Sequence, residues 1–540
     1  MALRPRPFLA VAALVTLGLI AAQATRADDP RPAGGASAAD ARKATNDPGI
    51  LTPPPPRAPR INGPSVYGVR PGHPFLYRIP ATGDRPMRFR VEGLPAGLQF
   101  DASTGIIRGI VADPGPRSYR ITVMASSARG YAERRFTIVV GDTLALTPPM
   151  GWNDWYTFYE HPSDGLMRKA ADIMIRSGMA DHGYHYVNID DSWMGKPGAT
   201  EPELQGPARD TRGMINANGR FPDMKAMTDY IHGLGLKAGI YTSPGPRTCA
   251  GFYGSYEHEA QDAARFVEWG FDFLKYDWCS YGDVAPKGSA PEPERLQRPY
   301  RRMGALLQQQ PRDIVFNLCQ YGMGNVWTWG AEVGGHSWRT TGDLGLEKAS
   351  RLPGFYSIGF KNAEHAEFAG PGRWNDPDYI LIGYVGNAHN ISDPPKPTSL
   401  TQHEQYSYMS MWALTAAPLF YSGDITRLDP FTLNVLNNAE VIAVDQDPLG
   451  RQARIVRRTD EEFVLAKPME DGSVAVGLFN LSEGPRQIAV TMRDIGAGGR
   501  QRVRDLWRWK DVGVFTDTYS ASVGRHGVML VRMFPAGTGE

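Results

Sequence analysis

Two aspartates carry the most chemical information in this chain. Asp277 ends the largely apolar run FDFLKYD, and Asp343 ends the more polar run SWRTTGD. Each run has the length of a short strand that closes in a carboxylate, and each contains a cation, Lys275 in the first and Arg339 in the second. Two carboxyl groups delivered from different strand ends into one pocket are what hydrolysis of a glycosidic bond requires. The pattern predicts a glycosidase.

The spacing of these residues predicts different roles for the two aspartates. Lys275 and Asp277 are two residues apart, so they share one face of a strand, and the ammonium is expected to keep that carboxylate ionised, as a nucleophile requires. Asp343 follows Arg339 by four residues, beyond the strand, so that cation need not contact it. We therefore expect Asp343 to keep a higher pKa and to serve as the proton donor.

A second pair of carboxylates is adjacent in sequence, Asp190 and Asp191. Neighbouring residues in a strand face opposite ways, so these two converge on a ligand only if the strand has already ended. Paired carboxylates of this kind bind two neighbouring sugar hydroxyls through charge-assisted hydrogen bonds.

The elements that must position these groups alternate between strands and helices. Eight strands are predicted at residues 146–152, 186–190, 236–242, 271–277, 313–318, 337–341, 374–378 and 417–422. Helices are predicted between them, for instance at 260–269 and 406–415. Eight such units within residues 143–452 predict a (β/α)8 TIM barrel, whose active site lies at the C-terminal ends of the strands. The main rival, a doubly wound open sheet, lacks support because no Gly-rich phosphate loop follows the first strand.

Two β-rich regions flank the barrel, so the fold class is multidomain. Residues 60–142 show short alternating strands between Gly and Pro turns and predict a β-sandwich. Its segment GLPAGL, at residues 93–98, resembles Ig-like modules of many exported bacterial proteins. A spacer role is favoured for this module, with glycan binding as the alternative. Residues 453–540 predict an antiparallel β-sandwich with a turn at Asp471-Gly472.

The first residues predict an exported protein. Arg4 and Arg6 precede an apolar run at residues 8–22 that small residues follow, which is the pattern of a cleaved signal peptide over residues 1–27. An uncleaved anchor is the alternative. Residues 28–59, rich in Ala and Pro, predict a semi-rigid linker. We expect a soluble chain without stable membrane insertion, in the periplasm or outside the cell.

Net charge and cysteine content exclude two classes of protein. A formal net charge of +1 and a pI near 7.7 leave no basic excess to neutralise phosphates, which argues against a nucleic-acid partner. Three cysteines cannot form a disulfide scaffold, and in an oxidising compartment at most one pair forms.

At its strand ends the sequence resembles glycoside hydrolase family 27, the α-galactosidases and their relatives. The resemblance covers the whole barrel in unbroken order and implies the C-terminal sandwich, while the Ig-like module lies outside it. The matching stretches are TPPMGW (147–152), DDSW (190–193), GIY (239–241), TCAGF (248–252), LKYD (274–277), WRTTGD (338–343), WNDPD (374–378), AAPL (416–419) and QDPLG (446–450).

The resemblance implies a retaining mechanism with Asp277 as nucleophile and Asp343 as acid/base, and it implies neither metal nor cofactor. It also implies a disulfide between Cys249 and Cys279, which leaves Cys319 as a buried free thiol. The implied partner is a galactose-containing oligosaccharide or polysaccharide. The implied sugar-binding residues are Trp155, Asp190, Asp191, Tyr241, Lys275, Arg339 and Asp378.

Three positions depart from the family pattern. Where many α-galactosidases carry Cys-Glu-Trp, this chain has Cys319-Gln320-Tyr321, in the loop that senses the substituent at sugar carbon 2. Gln320 is still expected to bind a hydroxyl, since its amide both donates and accepts. Trp278 follows the nucleophile, where a small residue is common, and is expected to narrow the subsite near carbon 6. Ser192 replaces a cysteine of animal members.

The alternatives follow from the same residues. A β-L-arabinopyranosidase is the near alternative, because that sugar resembles galactose without its carbon-6 arm. An α-N-acetylgalactosaminidase is disfavoured, since Arg339 and Gln320 would crowd an N-acetyl group. A metal-dependent barrel hydrolase needs histidines that these strand ends lack. A non-catalytic glycan-binding protein would leave Asp277 and Asp343 without a special role.

Overall fold

The eight predicted barrel strands are all present and parallel. A computed structural model describes residues 48–113, 115–285, 292–344, 351–386 and 394–536. Its central sheet has eight strands, and a parallel bridge between Ile380 and Tyr421 joins its two edges. The strands are Met150–Asn153, Tyr186–Asn188, Lys237–Thr242, Phe273–Asp277, Val315–Cys319, Ser337–Arg339, Trp374–Asp376 and Leu419–Tyr421. All eight are shorter than predicted. The first, third, fourth, fifth and eighth begin one to four residues later, and the second, sixth, seventh and eighth end one or two residues earlier, so that their last predicted residues belong to the loops above the barrel.

The barrel interior changes from aromatic to polar along the strands. Tyr186, Phe273 and Phe420 meet inside it, with ring centroids 5.3–6.2 Å apart. Two residues further along the fourth strand, Lys275 faces the same interior, while Leu274 joins the hydrophobic core outside it. The aromatic layer closes the barrel from below, so polar side chains at the strand ends form a pocket rather than a pore.

Helices surround the barrel, and the predicted helices at 260–269 and 406–415 are confirmed with slightly shifted ends. The α-helices are Trp155–Phe158, Asp164–Arg176, Met224–Gly233, Glu259–Trp269, Tyr281–Val284, Glu292–Gln308, Gly354–Ala363, Gln402–Leu414, Pro430–Leu436 and Ala439–Asp445. Short 3-10 turns occupy Ala180–His182, Pro202–Leu204, Val326–Thr328, Ala366–Phe368 and Ile425–Arg427. Thr401 and Glu404 form a capping box that starts the helix Gln402–Leu414. Within the described part of the chain, no helix combines the length and apolarity needed to cross a membrane.

The N-terminal module is a two-sheet sandwich, as predicted. One sheet contains Val66–Val69, Gly130–Val140, Arg117–Ser127 and Arg88–Glu92, and the other contains Pro74–Arg78, Ile106–Ile110 and Leu98–Phe100. A short pair, Arg60–Ile61 with Ala81–Thr82, completes it. The module has its own hydrophobic core, which includes Phe75, Phe89, Ile121 and Phe136.

This Ig-like module docks on the floor of the barrel, the end at which the strands begin. Arg70 donates to Asp313 at 2.6 Å, two residues before the fifth strand. The ammonium of Lys237, the first residue of the third strand, lies 5.1 Å from the Tyr67 ring centroid. His185, just before the second strand, also lies against Tyr67. The module therefore buttresses the floor and lies away from the strand ends that carry the polar residues.

Up to residue 47 the predicted linker lies outside the described residues. Hydrogen bonds attach its last part to the barrel helices. Asn434 accepts from the Thr52 amide at 3.2 Å and donates to the Thr52 carbonyl at 2.8 Å. Gly49 donates to the Gln402 side chain at 2.6 Å. Residues 49–52 therefore form a strap across two barrel helices, because helix side chains satisfy their backbone groups. The predicted signal peptide lies outside the described residues.

The C-terminal region is an antiparallel β-structure that packs on the helix Gln402–Leu414. Its six-stranded sheet runs in the order Arg454–Arg458, Glu462–Pro468, Val474–Asn480, Val528–Pro535, Gln501–Asp505 and Lys510–Phe515, and Arg486–Thr491 pairs with Thr518–Val523. The predicted turn at Gly472 is present, with φ of 82°. Trp507 donates to Ser410 at 2.9 Å, and His526 lies 2.8 Å from Glu404, so polar contacts fix this domain to the barrel.

Candidate active site

Asp277 is the last residue of the fourth strand and points into the pocket. Its side chain is buried, and the Tyr321 hydroxyl donates to its Oδ1 at 2.5 Å. The Tyr241 hydroxyl lies 3.4 Å from its Oδ2, a longer contact. Burial raises the pKa of Asp277 to about 6, while Lys275 and the bond from Tyr321 lower it and the charge of Asp343 raises it. The carboxylate is therefore close to its protonation midpoint in mildly acidic solution.

The expectation that Lys275 lies directly against Asp277 is wrong. Lys275 does face the pocket, but its Nζ donates to Asp190 Oδ2 at 2.9 Å. The ammonium also lies 5.2 Å from the ring centroids of Tyr241 and Tyr379. Lys275 acts on Asp277 only through its field, and burial outweighs that field. Strand alternation predicts the shared face, but it does not predict that a carboxylate after the second strand, beyond the intervening third strand, approaches the ammonium.

Asp190 and Asp191 both lie past the end of the second strand, as their convergence requires. Asp190 Oδ2 also accepts from Asn153 at 2.9 Å and from Tyr379 at 3.1 Å. Asp191 accepts from the amide of Ala250 at 2.9 Å, and burial raises its pKa to about 7. Asp190 is thus held in a network at the pocket floor, and Asp191 lies beside the loop that carries Cys249.

Arg339 contacts two carboxylates, Asp343 and Asp378. The expectation that Asp343 lies apart from this cation is therefore corrected. Its Nη2 lies 3.2 Å from Asp343 Oδ1 and 3.1 Å from Asp378 Oδ2. Asp378 also accepts from Tyr156 and from the Leu344 amide, both at 2.8 Å. The loop after the sixth strand folds back, so Asp343 returns to the cation that it follows in sequence. The side chain of Asp343 remains 36% exposed at the pocket mouth, whereas Asp378 is buried.

The loop after the fifth strand carries Gln320, which is expected to bind a hydroxyl, and Tyr321, to which sequence reasoning gave no role. Gln320 is 1% exposed, and neither its Oε1 nor its Nε2 has a hydrogen-bond partner among the described residues. Its neighbour Tyr321 has a φ of 65° and reaches Asp277. Cys319 is the buried free thiol that was expected, and it lies 3.8 Å from Arg339 Nη1. The Cys-Gln-Tyr departure itself was the signal that this loop differs.

The disulfide between Cys249 and Cys279 is confirmed, two residues after Asp277. Its sulfurs lie beside the Tyr321 hydroxyl, 3.6 Å from Cys249 Sγ and 3.8 Å from Cys279 Sγ. Cys249, Cys279 and Asp277 have the spacing of a metal-ligand group, but the two sulfurs are joined to each other and offer no thiolate. Among the described residues this group therefore does not fit a metal ion.

Other expected residues lie at the rim. Trp155 follows the first strand, is partly exposed, and packs edge-on against Tyr159 with a centroid distance of 5.8 Å. The Trp278 ring contacts Tyr281 and stacks on Tyr300, 6.3 Å between centroids. The effect of Trp278 on a carbon-6 subsite stays a prediction.

Besides Tyr321, four pocket residues were missed because a sequence does not show where a hydroxyl or amide will bond. Tyr156 holds Asp378, Tyr379 and Asn153 hold Asp190, and Asp154 accepts from the Asp190 amide at 2.7 Å. Asn153 ends the first strand and Asp154 follows it directly, so their position at a strand end was the available signal.

The arrangement brings two carboxyl groups of different exposure into one pocket. Asp277 lies deep and is held by a hydroxyl, while Asp343 is at the mouth beside a guanidinium. They are close enough for the charge of Asp343 to raise the pKa of Asp277. A buried nucleophile and an accessible acid on different strands can cleave a glycosidic bond in two displacements.

Three family models match the chain, one for each domain. The model described as "Alpha galactosidase A" matches residues 147–447. The model described as "Alpha galactosidase C-terminal beta sandwich domain" matches residues 460–533. The model described as "Putative Ig domain" matches residues 58–141. These ranges agree with the barrel and the two β-domains of the structure.

Known proteins resemble the chain over most of its length. An α-galactosidase of Cyamopsis tetragonoloba is 36% identical over 416 residues, which cover 76% of this chain and 91% of that protein. A solved structure from Bacteroides fragilis, named as a "putative alpha-galactosidase/melibiase", is 35% identical with a TM-score of 0.81, covering 90% of this chain and 99% of that one. A β-L-arabinopyranosidase structure from Geobacillus stearothermophilus is 26% identical with a TM-score of 0.62, covering 73% and 98%.

Proposed function

The chain belongs to the α-galactosidase A family, glycoside hydrolase family 27, and on that premise we propose that it removes terminal α-D-galactosyl residues with Asp277 as nucleophile and Asp343 as acid/base. It is a glycoside hydrolase of the α-galactosidase type. The observation that carries the assignment of roles is the contrast between a buried Asp277 and a partly exposed Asp343 in one pocket.

The solvent exposure of Asp277 and of Asp343 suits the part that each takes in the two displacements. In the first displacement Asp277 attacks the anomeric carbon, and Asp343 gives a proton to the departing oxygen. In the second, Asp343 takes a proton from water, which attacks the same carbon and releases the sugar from Asp277. The acid/base must contact both the leaving group and water. The side chain of Asp343, which is 36% exposed at the pocket mouth, is accessible to both. The nucleophile must meet only the sugar, which suits the buried Asp277.

The remaining polar groups support a sugar in the pocket. Asp190 and Asp191 offer carboxylate oxygens to neighbouring hydroxyls, and Lys275 is fixed between Asp190 and two aromatic rings. Gln320 presents a buried amide without a protein partner among the described residues, and a hydroxyl at sugar carbon 2 would satisfy it. The substrate class that we propose is an oligosaccharide or polysaccharide with a terminal galactosyl group.

A β-L-arabinopyranosidase is the second candidate, supported by the likeness to the Geobacillus stearothermophilus structure. Hydrolysis of nitrophenyl α-D-galactoside, β-L-arabinopyranoside and α-N-acetylgalactosaminide separates the two. We expect a preference for the first, with α-galactose as the first product by NMR, since two displacements retain configuration. A preference for the second sugar would replace the substrate assignment. Turnover of none of them would contradict the function, and inversion of configuration would contradict the mechanism.

We also propose that the protein is exported. The apolar run at residues 8–22 supports this, and so does a disulfide beside the pocket, because disulfides persist in oxidising compartments. Mass spectrometry of the protein recovered from expressing cells tests it. We expect a chain that lacks residues 1–27, and a full-length chain in the reducing compartment would contradict the proposal.

A further inference from the structure

Tyr321 makes the shortest contact to Asp277 and does so from a strained backbone. Its hydroxyl donates to Asp277 Oδ1 at 2.5 Å from the loop after the fifth strand, which pairs with the strand of Asp277. Its φ is 65°, in the left-handed region that a residue with a bulky side chain occupies at a cost of roughly 1 kcal/mol or more. Gly322 follows at a φ of 83°, where an added Cβ would lie 2.4 Å from the Thr340 carbonyl oxygen. The conformation of the turn at Tyr321 and Gly322 is thus restricted, and it places the Tyr321 hydroxyl beside the Asp277 carboxylate.

The other neighbours of Asp277 do not hold its Oδ1. Tyr241 approaches the other oxygen, Oδ2, at 3.4 Å, and Lys275 donates to Asp190 instead. Among the described residues, Tyr321 is therefore the one side chain that donates to Oδ1. The same hydroxyl lies against both sulfurs of the disulfide, at 3.6 and 3.8 Å, so its position is bounded from two sides.

Resting on the proposed function, we propose that Tyr321 is a positioning residue that holds Oδ1 of the nucleophile and leaves Oδ2 to attack. In the first displacement, a lone pair of Oδ2 forms the bond to the anomeric carbon while the bond from that carbon to the leaving oxygen breaks. The leaving oxygen takes the proton of Asp343. Tyr321 keeps its own proton throughout, and its bond fixes the rotation of the carboxylate plane.

The electrostatics of the pair agree with this role. Burial and the charge of Asp277 raise the pKa of the Tyr321 hydroxyl, so it remains a donor wherever the protein is folded. The bond from Tyr321 lowers the pKa of Asp277 against the effect of burial. Without the hydroxyl, the carboxylate would become protonated at a higher pH.

The test compares Tyr321→Phe with Tyr300→Phe. Tyr300 is a matched control because it is also a buried tyrosine beside the fifth strand, and its hydroxyl donates to the Cys319 carbonyl at 3.3 Å. Each variant is assayed for kcat and KM on nitrophenyl α-galactoside and for the pH profile of kcat/KM. The rate of covalent labelling by a fluorinated galactosyl fluoride, which traps the glycosyl-enzyme, is measured by mass spectrometry.

We expect Tyr321→Phe to lower kcat and the labelling rate about tenfold to a hundredfold, the value of a hydrogen bond to a charged group, with KM changed less than about threefold. The acidic limb of kcat/KM should move to higher pH. Tyr300→Phe should leave the limb in place. A Tyr321→Phe enzyme with wild-type labelling and an unmoved limb would overturn the proposal, as would equal losses in both variants. A wild-type enzyme that is not labelled at Asp277 would instead overturn the proposed function, and the wild-type sample alone reveals it.

Discussion

The Nζ of Lys275 lies 2.9 Å from Oδ2 of Asp190, so the cation two residues before Asp277 is paired with a carboxylate that follows the second strand. Asp277 consequently has no direct cationic partner among the described residues. Its burial then sets its pKa near 6, and several properties of the enzyme follow from that one arrangement.

The pH dependence of activity should show an acidic limb close to pH 6. In the proposed mechanism only the ionised Asp277 attacks, and its pKa is raised to about 6, so kcat/KM should fall as the pH is lowered through that value. Measurement of kcat/KM on nitrophenyl α-galactoside between about pH 4 and about pH 8 checks this. A profile that stays flat down to the ordinary range of an exposed carboxyl group would contradict it.

Replacement of Asp277 by Asn should remove activity and stabilise the fold at pH 7. Turnover should fall at least about thousandfold, because the nucleophile is lost. The folded pKa lies above the model-peptide value of 3.8, so the folded state holds this proton more tightly, and stability falls as the pH rises through about 6. A neutral Asn avoids that penalty, which is at most about 3 kcal/mol.

Thermal unfolding of wild type and Asp277→Asn at two pH values tests both parts. The gain in Tm should be clear at pH 7 and small near pH 4, because there the folded carboxyl group is protonated and the pH is close to the unfolded value of 3.8, so little of the penalty remains. Circular dichroism confirms the fold. Retained turnover would remove Asp277 from its role, and equal Tm differences at both pH values would contradict the electrostatic account.

Replacement of Lys275 by Met should destabilise the protein, because it leaves the buried Asp190 with only neutral donors. Asn153 and Tyr379 still donate to that carboxylate, yet loss of one partner of a buried ion pair costs about 3–5 kcal/mol. The double variant with Asp190→Asn should recover part of this stability. Denaturant unfolding of both single variants and the double variant gives the coupling, and additive losses would contradict the pairing.

Replacement of Arg70 by Ala should weaken the docking of the Ig-like module without changing kcat. The guanidinium donates to Asp313 and to the Gln308 carbonyl at 2.7 Å, so its loss should cost about 2 kcal/mol. These contacts lie at the barrel floor, away from the pocket. Arg108→Ala, an exposed arginine of the same module, is the control. A change in kcat without a change in Tm would contradict this separation.

The fold could be predicted because its signals are local. Most barrel strands are short, largely apolar runs that end in polar residues, and this pattern with the alternation of strands and helices located all eight. The same pattern placed Asp190, Asp277 and Arg339 in the pocket, since strand ends of a barrel meet at one mouth. The resemblance to family 27 implied the partner of Cys249, which spacing alone left open.

Contacts between residues far apart in sequence could not be predicted. The contact between Lys275 and Asp190 spans the barrel from the fourth strand to the loop after the second, and the return of Asp343 to Arg339 depends on a loop conformation. The bond from Tyr321 requires a left-handed backbone that no apolar pattern reveals. The anchoring of the Ig-like module to Asp313 likewise joins two domains whose sequences carry no mark of each other.

The placement of that module has a practical consequence for handling the enzyme. Because it occupies the floor of the barrel, through Arg70 and Tyr67, the catalytic mouth at the opposite end is left to the barrel loops. Immobilisation of the protein on a resin or sensor surface through the Ig-like module would therefore leave the pocket facing the solution. Bulky branched glycans could then reach it.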